Sequence, residues 1–214
     1  MRLRLVLLLV LISTLTSKAQ LIIPMDYSNQ RDHLKAYGLV YKAIDQGYSC
    51  FWLLNHRGGS FAILDGDSEL IKSALRLGIS YEPSSLSSLR VLMEDLKSPS
   101  KNTNVIELEK VPKIAVYSPD GKQPWDDAVT LVLTYAEIPF TTIYDPEVLD
   151  GTLSEYDCLH MHHEDFTGQY GKFYGSYRDA AWYINQKAQF ESEARAMGYA
   201  KVSEQKRDVA KAIS

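Results

Sequence analysis

One pattern occurs twice along this chain and narrows the folds open to it: an apolar run closing on polar residues, an amphipathic helix, then another apolar run. The first copy begins with "LIIPMD", which ends at Asp26. In "RDHLKAYGLVYKAIDQG" it then places Leu34, Tyr37, Gly38, Tyr41 and Ile44 three and four apart, with Gly47 as a stop. "YSCFWLLN" follows as the next strand. The second copy runs from "KIAVYSPDG" into "QPWDDAVTLVLTYAEI", where Pro124 suits a first helical turn and Ala128, Leu131, Val132 and Tyr135 form the expected buried stripe. "FTTIYD" and "YDCLHMHH" supply its next strands.

Strands that are apolar on both faces and alternate with helices predict an α/β fold: a three-layer open parallel sheet of the flavodoxin type. The expected division is a first βαβ half over 20–79, a connecting region over 80–111, and a second βαβ half over 112–214 that ends in an unpaired helix. The connecting region reads as a short helix in "SSLSSLRVLMEDLKS", a polar loop, and an edge strand in "NVIELEK". A parallel sheet ordinarily follows a final helix with another strand. The closing helix, broken near Gly198, is therefore expected to lead into more chain or to pack on a partner.

Residues 1–19, "MRLRLVLLLVLISTLTSKA", combine two arginines, an apolar run from Leu5 to Ile12, and small residues at Ser17 and Ala19. That is the pattern of a secretory signal cleaved near Ala19, and it predicts a secreted or periplasmic protein. No segment approaches the roughly 20 apolar residues that a spanning helix needs. Cleavage would remove Arg2, Arg4 and Lys18, leaving 20 basic against 27 acidic residues, a net charge of −7. An acidic surface without a basic stripe excludes nucleic acid as the expected partner. Cys50 and Cys158 lie in "YSCFWLL" and "YDCLHMH", both read as buried strands, and stand either as a pair in an oxidising compartment or as two buried thiols.

Ligands of an open parallel sheet bind beyond the carboxyl ends of its strands, where loops and helix N-termini converge. Applied here, the rule gathers Asp26; Asn55, His56, Arg57, Gly58 and Gly59 of "NHRGGS"; Ser118 to Asp120; and His162, His163, Glu164 and Asp165. The glycine pair reads either as an anion cradle beside Arg57 or as a plain turn between strands. Three of the five histidines fall within "HMHH", and His160 and His162 share a strand face. They are weak metal candidates, because the spacing lacks the His-x-His-x-Asp-His order of the metallo-β-lactamase-like hydrolases. The alternative makes His162, His163 and Glu164 acid/base or site-shaping groups, with Asp165 touching a ligand. Phe166, Tyr170, Phe173, Tyr174 and Tyr177 follow at helical spacing, either as core or as a stacking surface for sugar rings, with Tyr170 the ligand candidate. No cofactor is called for. The expected partner is a small molecule, a glycan or a peptide-like ligand; the oligomeric state is left open.

"LIIPMDYSNQRDHLKAYGLVYKAIDQGYSCFWLLNHRGGSF", "KQPWDDAVTLVLTYAEIPF" and "YDCLHMHHEDFTGQYGKFYGSYRDAAWYI" resemble the N-terminal part of a family of secreted Bacteroidetes proteins labelled asparagine synthetase B. The resemblance covers essentially all of the chain after the signal. It implies a class I glutamine amidotransferase-like sheet and a hydrolase attacking an amide or similar carbonyl through a thiolate. In such relatives the helix matching "AKVSEQKRDVAKAI" leads to a glycine-rich strand and a cysteine-bearing turn, neither of which occurs here, so the chain alone is expected to be inactive. It also implies that "YDCLHMHHEDFTG" stands where amidotransferases supply oxyanion contacts, although His162, His163 and Glu164 replace their Pro-Gly-Gly-like turn. The N-terminal cysteine and Ser-Gly-Gly-x-Asp-Ser loop of glutamine-dependent asparagine synthetases are missing from these residues. The competing expectation is a secreted glycan- or peptide-binding α/β protein without catalysis.

Overall fold

Consecutive apolar residues in the first strands are divided between two cores. The computed structural model describes residues 19–118, 128–161 and 177–214, and the chain separates into units Met1–Lys110 and Val111–Ser214. In the first unit, β1 (Ala19–Ile23), β2 (Cys50–Leu54), β3 (Phe61–Gly66), β4 (Glu82–Ser84) and β5 (Asn104–Leu108) form one sheet. Leu21 and Ile23 of β1, Cys50 of β2, and Phe61 and Ile63 of β3 face α1 (His33–Asp45) and α2 (Ser68–Leu77). The residues between them, Ile22, Leu53 and Ala62, face Leu89, Met93 and Leu96 of α3 (Leu86–Leu96). Helix starts follow from local chemistry. Asp32, Asp67 and Ser85 each accept a hydrogen bond from a backbone amide of the first turn they precede.

The strand order is β4-β1-β3-β2-β5, and every neighbouring pair is antiparallel. This corrects the expectation of an open parallel sheet running through both halves. β1 and β2 do point the same way on either side of α1, but β3 turns back through the loop 55–60 and inserts between them. The apolar runs were misleading for a physical reason. They report burial on both faces, and helices on both faces do that for an antiparallel sheet as well. Residues 80–111 provide β4, α3 and β5 to the same sheet.

Parallel pairing occurs in the second unit, where β6 (Ile114–Tyr117) lies between β7 (Thr141–Ile143) and β8 (Cys158–Met161). Ala115, Tyr117 and Ile143 pack with Tyr144, with Val148 of α5 (Asp145–Leu149), and with Val209 of the last helix, α7 (Val202–Ile213). α4 (Ala128–Tyr135) does not bury the expected stripe: Leu131, Val132 and Tyr135 are exposed and Thr130 is buried. Its sequence, "AVTLVLTY", is apolar on nearly every side, so spacing alone does not select an inner face. Cys158 is also exposed, at the start of an edge strand, whereas Cys50 is fully buried. Both thiols are free. α6 (Ala181–Ala196) ends before Gly198, whose φ of +86° reverses the chain into α7. Among the described residues, no helix is long and apolar enough to cross a membrane.

Candidate functional site

In the first unit, six residues, Asn55 to Ser60, join β2 to β3, and they contain the "NHRGGS" motif. The turn closes on the His56 carbonyl, which accepts from the Gly59 and Ser60 amides at 3.0 Å each and from Ser60 Oγ at 2.7 Å. Asn55, Arg57, Gly58 and Gly59 all have positive φ, which costs a non-glycine residue about 1–2 kcal/mol. Both glycines also lie too close to neighbours for a side chain: a Cβ on Gly58 would strike the Met25 backbone, and one on Gly59 would come 3.0 Å from Trp52 Nε1. The pair therefore serves chain reversal and close packing.

Arg57 is committed within the protein. Its two terminal nitrogens donate to Glu82 of β4 at 2.7 and 2.8 Å, and Nε donates to Asp26 at 3.1 Å. The backbone reinforces the link, since the Met25 amide donates to the Arg57 carbonyl at 3.1 Å. Asp26 also accepts from the backbone and side-chain nitrogens of Asn29. The Asn29 side chain and then Arg57 hold the Asp26 carboxyl below its ordinary range, and Arg57 does the same for Glu82. Burial holds the His56 imidazole below its ordinary range, with Arg57 adding to the effect, which favours the neutral form. Asn55 Nδ2 reaches the Asn102 carbonyl at 2.9 Å. The structure thus brings together the sequence candidates Asp26, His56, Arg57, Gly58 and Gly59.

In the second unit the carboxyl ends of three parallel strands lie along one edge. Tyr117 and Ser118 end β6, and Tyr144 and Asp145 follow β7. β8 ends at Met161, directly before the predicted histidine stretch. The order β7-β6-β8 reverses between β6 and β8, the position at which doubly wound sheets open a crevice. His160 is half-buried on β8 and pairs in register with Val116. His162, His163, Glu164, Asp165, Phe166, Tyr170, Phe173 and Tyr174 lie outside the described residues, as do Pro119, Asp120 and Pro124. Among the described residues, no three His, Cys, Asp or Glu side chains are grouped to hold a metal.

The same edge carries a cluster that spacing did not reveal. Asp145, 2% exposed, accepts from the Tyr117 hydroxyl, from Gln205 Nε2 at 2.6 Å, and from Lys206 Nζ at 3.1 Å. Lys206 also reaches the hydroxyls of Tyr117 at 3.0 Å and Tyr144 at 2.8 Å. Every buried acceptor on the carboxylate therefore has a donor, as a charge in a core requires. Neither residue was singled out from the sequence: Asp145 merely follows an apolar run before Pro146, and Lys206 sits in a helix with many charges. Comparison with family models, with curated proteins and with solved structures returns no match.

Proposed function

We propose that the chain belongs to a secreted amidotransferase-like protein of the family its motifs resemble, and that its second unit supplies the ligand-binding edge of the site. The observation that carries this reading is the reversal of strand order between β6 and β8, with Ser118 at the end of one and "HHED" after the other. In this reading His162, His163 and Glu164 shape the site or move a proton, and Asp165 and Tyr170 contact an amide or similar carbonyl compound. The nucleophile comes from another source than the two cysteines here. Burial pushes the Cys50 thiol up to about 12, and Cys158 starts β8, at the end of the strand opposite the crevice. A thiolate mechanism needs its sulfur ionised and within reach of the carbonyl.

That placement of the cysteines also favours the second reading, a binding protein for a peptide-like ligand or glycan. Titration by NMR with L-glutamine, a short peptide amide and an oligosaccharide distinguishes the two. Amide binding that weakens at least tenfold in a His162→Ala/His163→Ala/Glu164→Gln variant is the expected result. Binding of the oligosaccharide alone would transfer the site to the second reading, and amide binding indifferent to the triple substitution would refute the site.

A further inference from the structure

Lys206 is surrounded as a bound ammonium ligand would be. Its Nζ lies 4.3 Å from the Tyr144 ring centre, 5.5 Å from that of Tyr117 and 6.0 Å from that of Phe190. Nζ meets Tyr117 and Tyr144 at their hydroxyl ends, so the oxygens bind the ammonium while the rings and Phe190 line its surroundings. The polar side is equally specific. An ammonium has three N–H donors and no acceptor, and here the acceptors are the two tyrosine hydroxyls and the Asp145 carboxylate. The carboxylate also accepts hydrogen bonds from Tyr117 and Gln205. Lys206 retains 22% of its side-chain exposure against 2% for Asp145, so the stem runs from solvent to a buried anion.

We infer that Tyr117, Tyr144, Phe190 and Asp145 form a recognition site for a primary alkylammonium group, which the chain's own Lys206 fills. α7 carries its own ligand into the carboxyl edge of the parallel sheet, and removal of that side chain opens the site to a free amine. The inference does not rest on the amidotransferase reading, because it uses only groups within this cluster.

The test is rescue in the full chain. Lys206→Ala removes the atoms from Cγ to Nζ, which n-propylammonium matches in length and charge. The expected result is a lowered thermal midpoint that n-propylammonium raises, with an affinity roughly tenfold or more above that of 1-propanol, because only the cation pairs with the carboxylate. The Asp145→Asn/Lys206→Ala variant should lose that preference, and the wild-type protein, whose site is filled, should show no shift. Equal rescue by 1-propanol, or an equal shift in the wild type, overturns the inference. If Lys206→Ala is unfolded, recovery of its circular dichroism with n-propylammonium supports the proposal and failure to recover opposes it. Lys206→Met keeps the stem without the charge. It should fold with a lower midpoint than wild type and ignore the amine; a midpoint equal to wild type shows that the site has no use for a cation.

Discussion

Arg57 holds Glu82 through two parallel hydrogen bonds, 2.7 and 2.8 Å long, tying the β2–β3 loop to the edge strand β4. The two-pronged geometry fixes both side chains, yet Glu82 is 48% exposed, so the pair contributes only about 0.2–1 kcal/mol. Arg57 also sits at a φ of +48°. Its substitutions therefore separate two effects. Arg57→Ala loses the ion pairs and keeps the unfavourable backbone; Arg57→Gly loses the ion pairs and relieves it. Urea unfolding should find the glycine variant about 1 kcal/mol more stable than the alanine variant. The reverse order would show that the backbone conformation carries no cost.

The same network sets a pH dependence. Asp26 and Glu82 have carboxyls held below their ordinary range by Asn29 and Arg57, and by Arg57, respectively. A depressed folded-state value means that the contribution is fully present above the ordinary carboxylate range, near pH 4, and is lost as pH falls through the folded value. The stability gap between wild type and Arg57→Ala should thus be largest at neutral pH and close on acidification. Chemical unfolding at pH 7 and pH 3 measures it, and a gap that widens at pH 3 would contradict the assignment.

Gly58 and Gly78 both have positive φ, at +77° and +70°, but only Gly58 is pressed against backbone, that of Met25. Gly78 has nothing within 4 Å of a built Cβ. Gly58→Ala should cost about 2–3 kcal/mol and Gly78→Ala about 1 kcal/mol, the first combining strain with a clash and the second strain alone. Thermal or denaturant midpoints of the two variants, compared directly, decide the ranking.

The two thiols should react at different rates. Cys50 is fully buried, with its thiol pushed up to about 12 by burial and then by the Asp65 carboxylate, whereas Cys158 is exposed. Iodoacetamide on the native protein should label Cys158 within minutes and reach Cys50 only on unfolding. Peptide mass spectrometry reports the sites; early modification of Cys50 would show that the β1–β3–β2 core opens readily.

Much of the local structure was legible. The presence of α1, the Gly198 break and the edge position of "NVIELEK" are short-range features that the structure contains, but α1 buries Ala36, Leu39, Val40 and Ala43 beside Gly38 and leaves Leu34 and Tyr37 of the expected stripe exposed. The reading of "NHRGGS" was open between cradle and turn. Its glycines serve a turn, and Arg57 is occupied by two carboxylates brought from positions 31 and 25 residues away. The Tyr117–Asp145–Lys206 cluster was invisible for the same reason, since its members lie as much as 89 residues apart.

By itself the sequence determined the longer helices and strands and the two-sided burial of the central strands, though not the short β4 and α5, because propensity and apolar period act over a few residues. Which strands become neighbours was decided only in three dimensions. β1–α1–β2 reads as a parallel unit, and locally nothing forbids it. The hairpin that follows β2 instead sends β3 back between β1 and β2, where its own two-sided apolar surface is buried against α1 and α2 on one side and α3 on the other. Strand direction follows from that insertion, and burial pattern alone does not encode it.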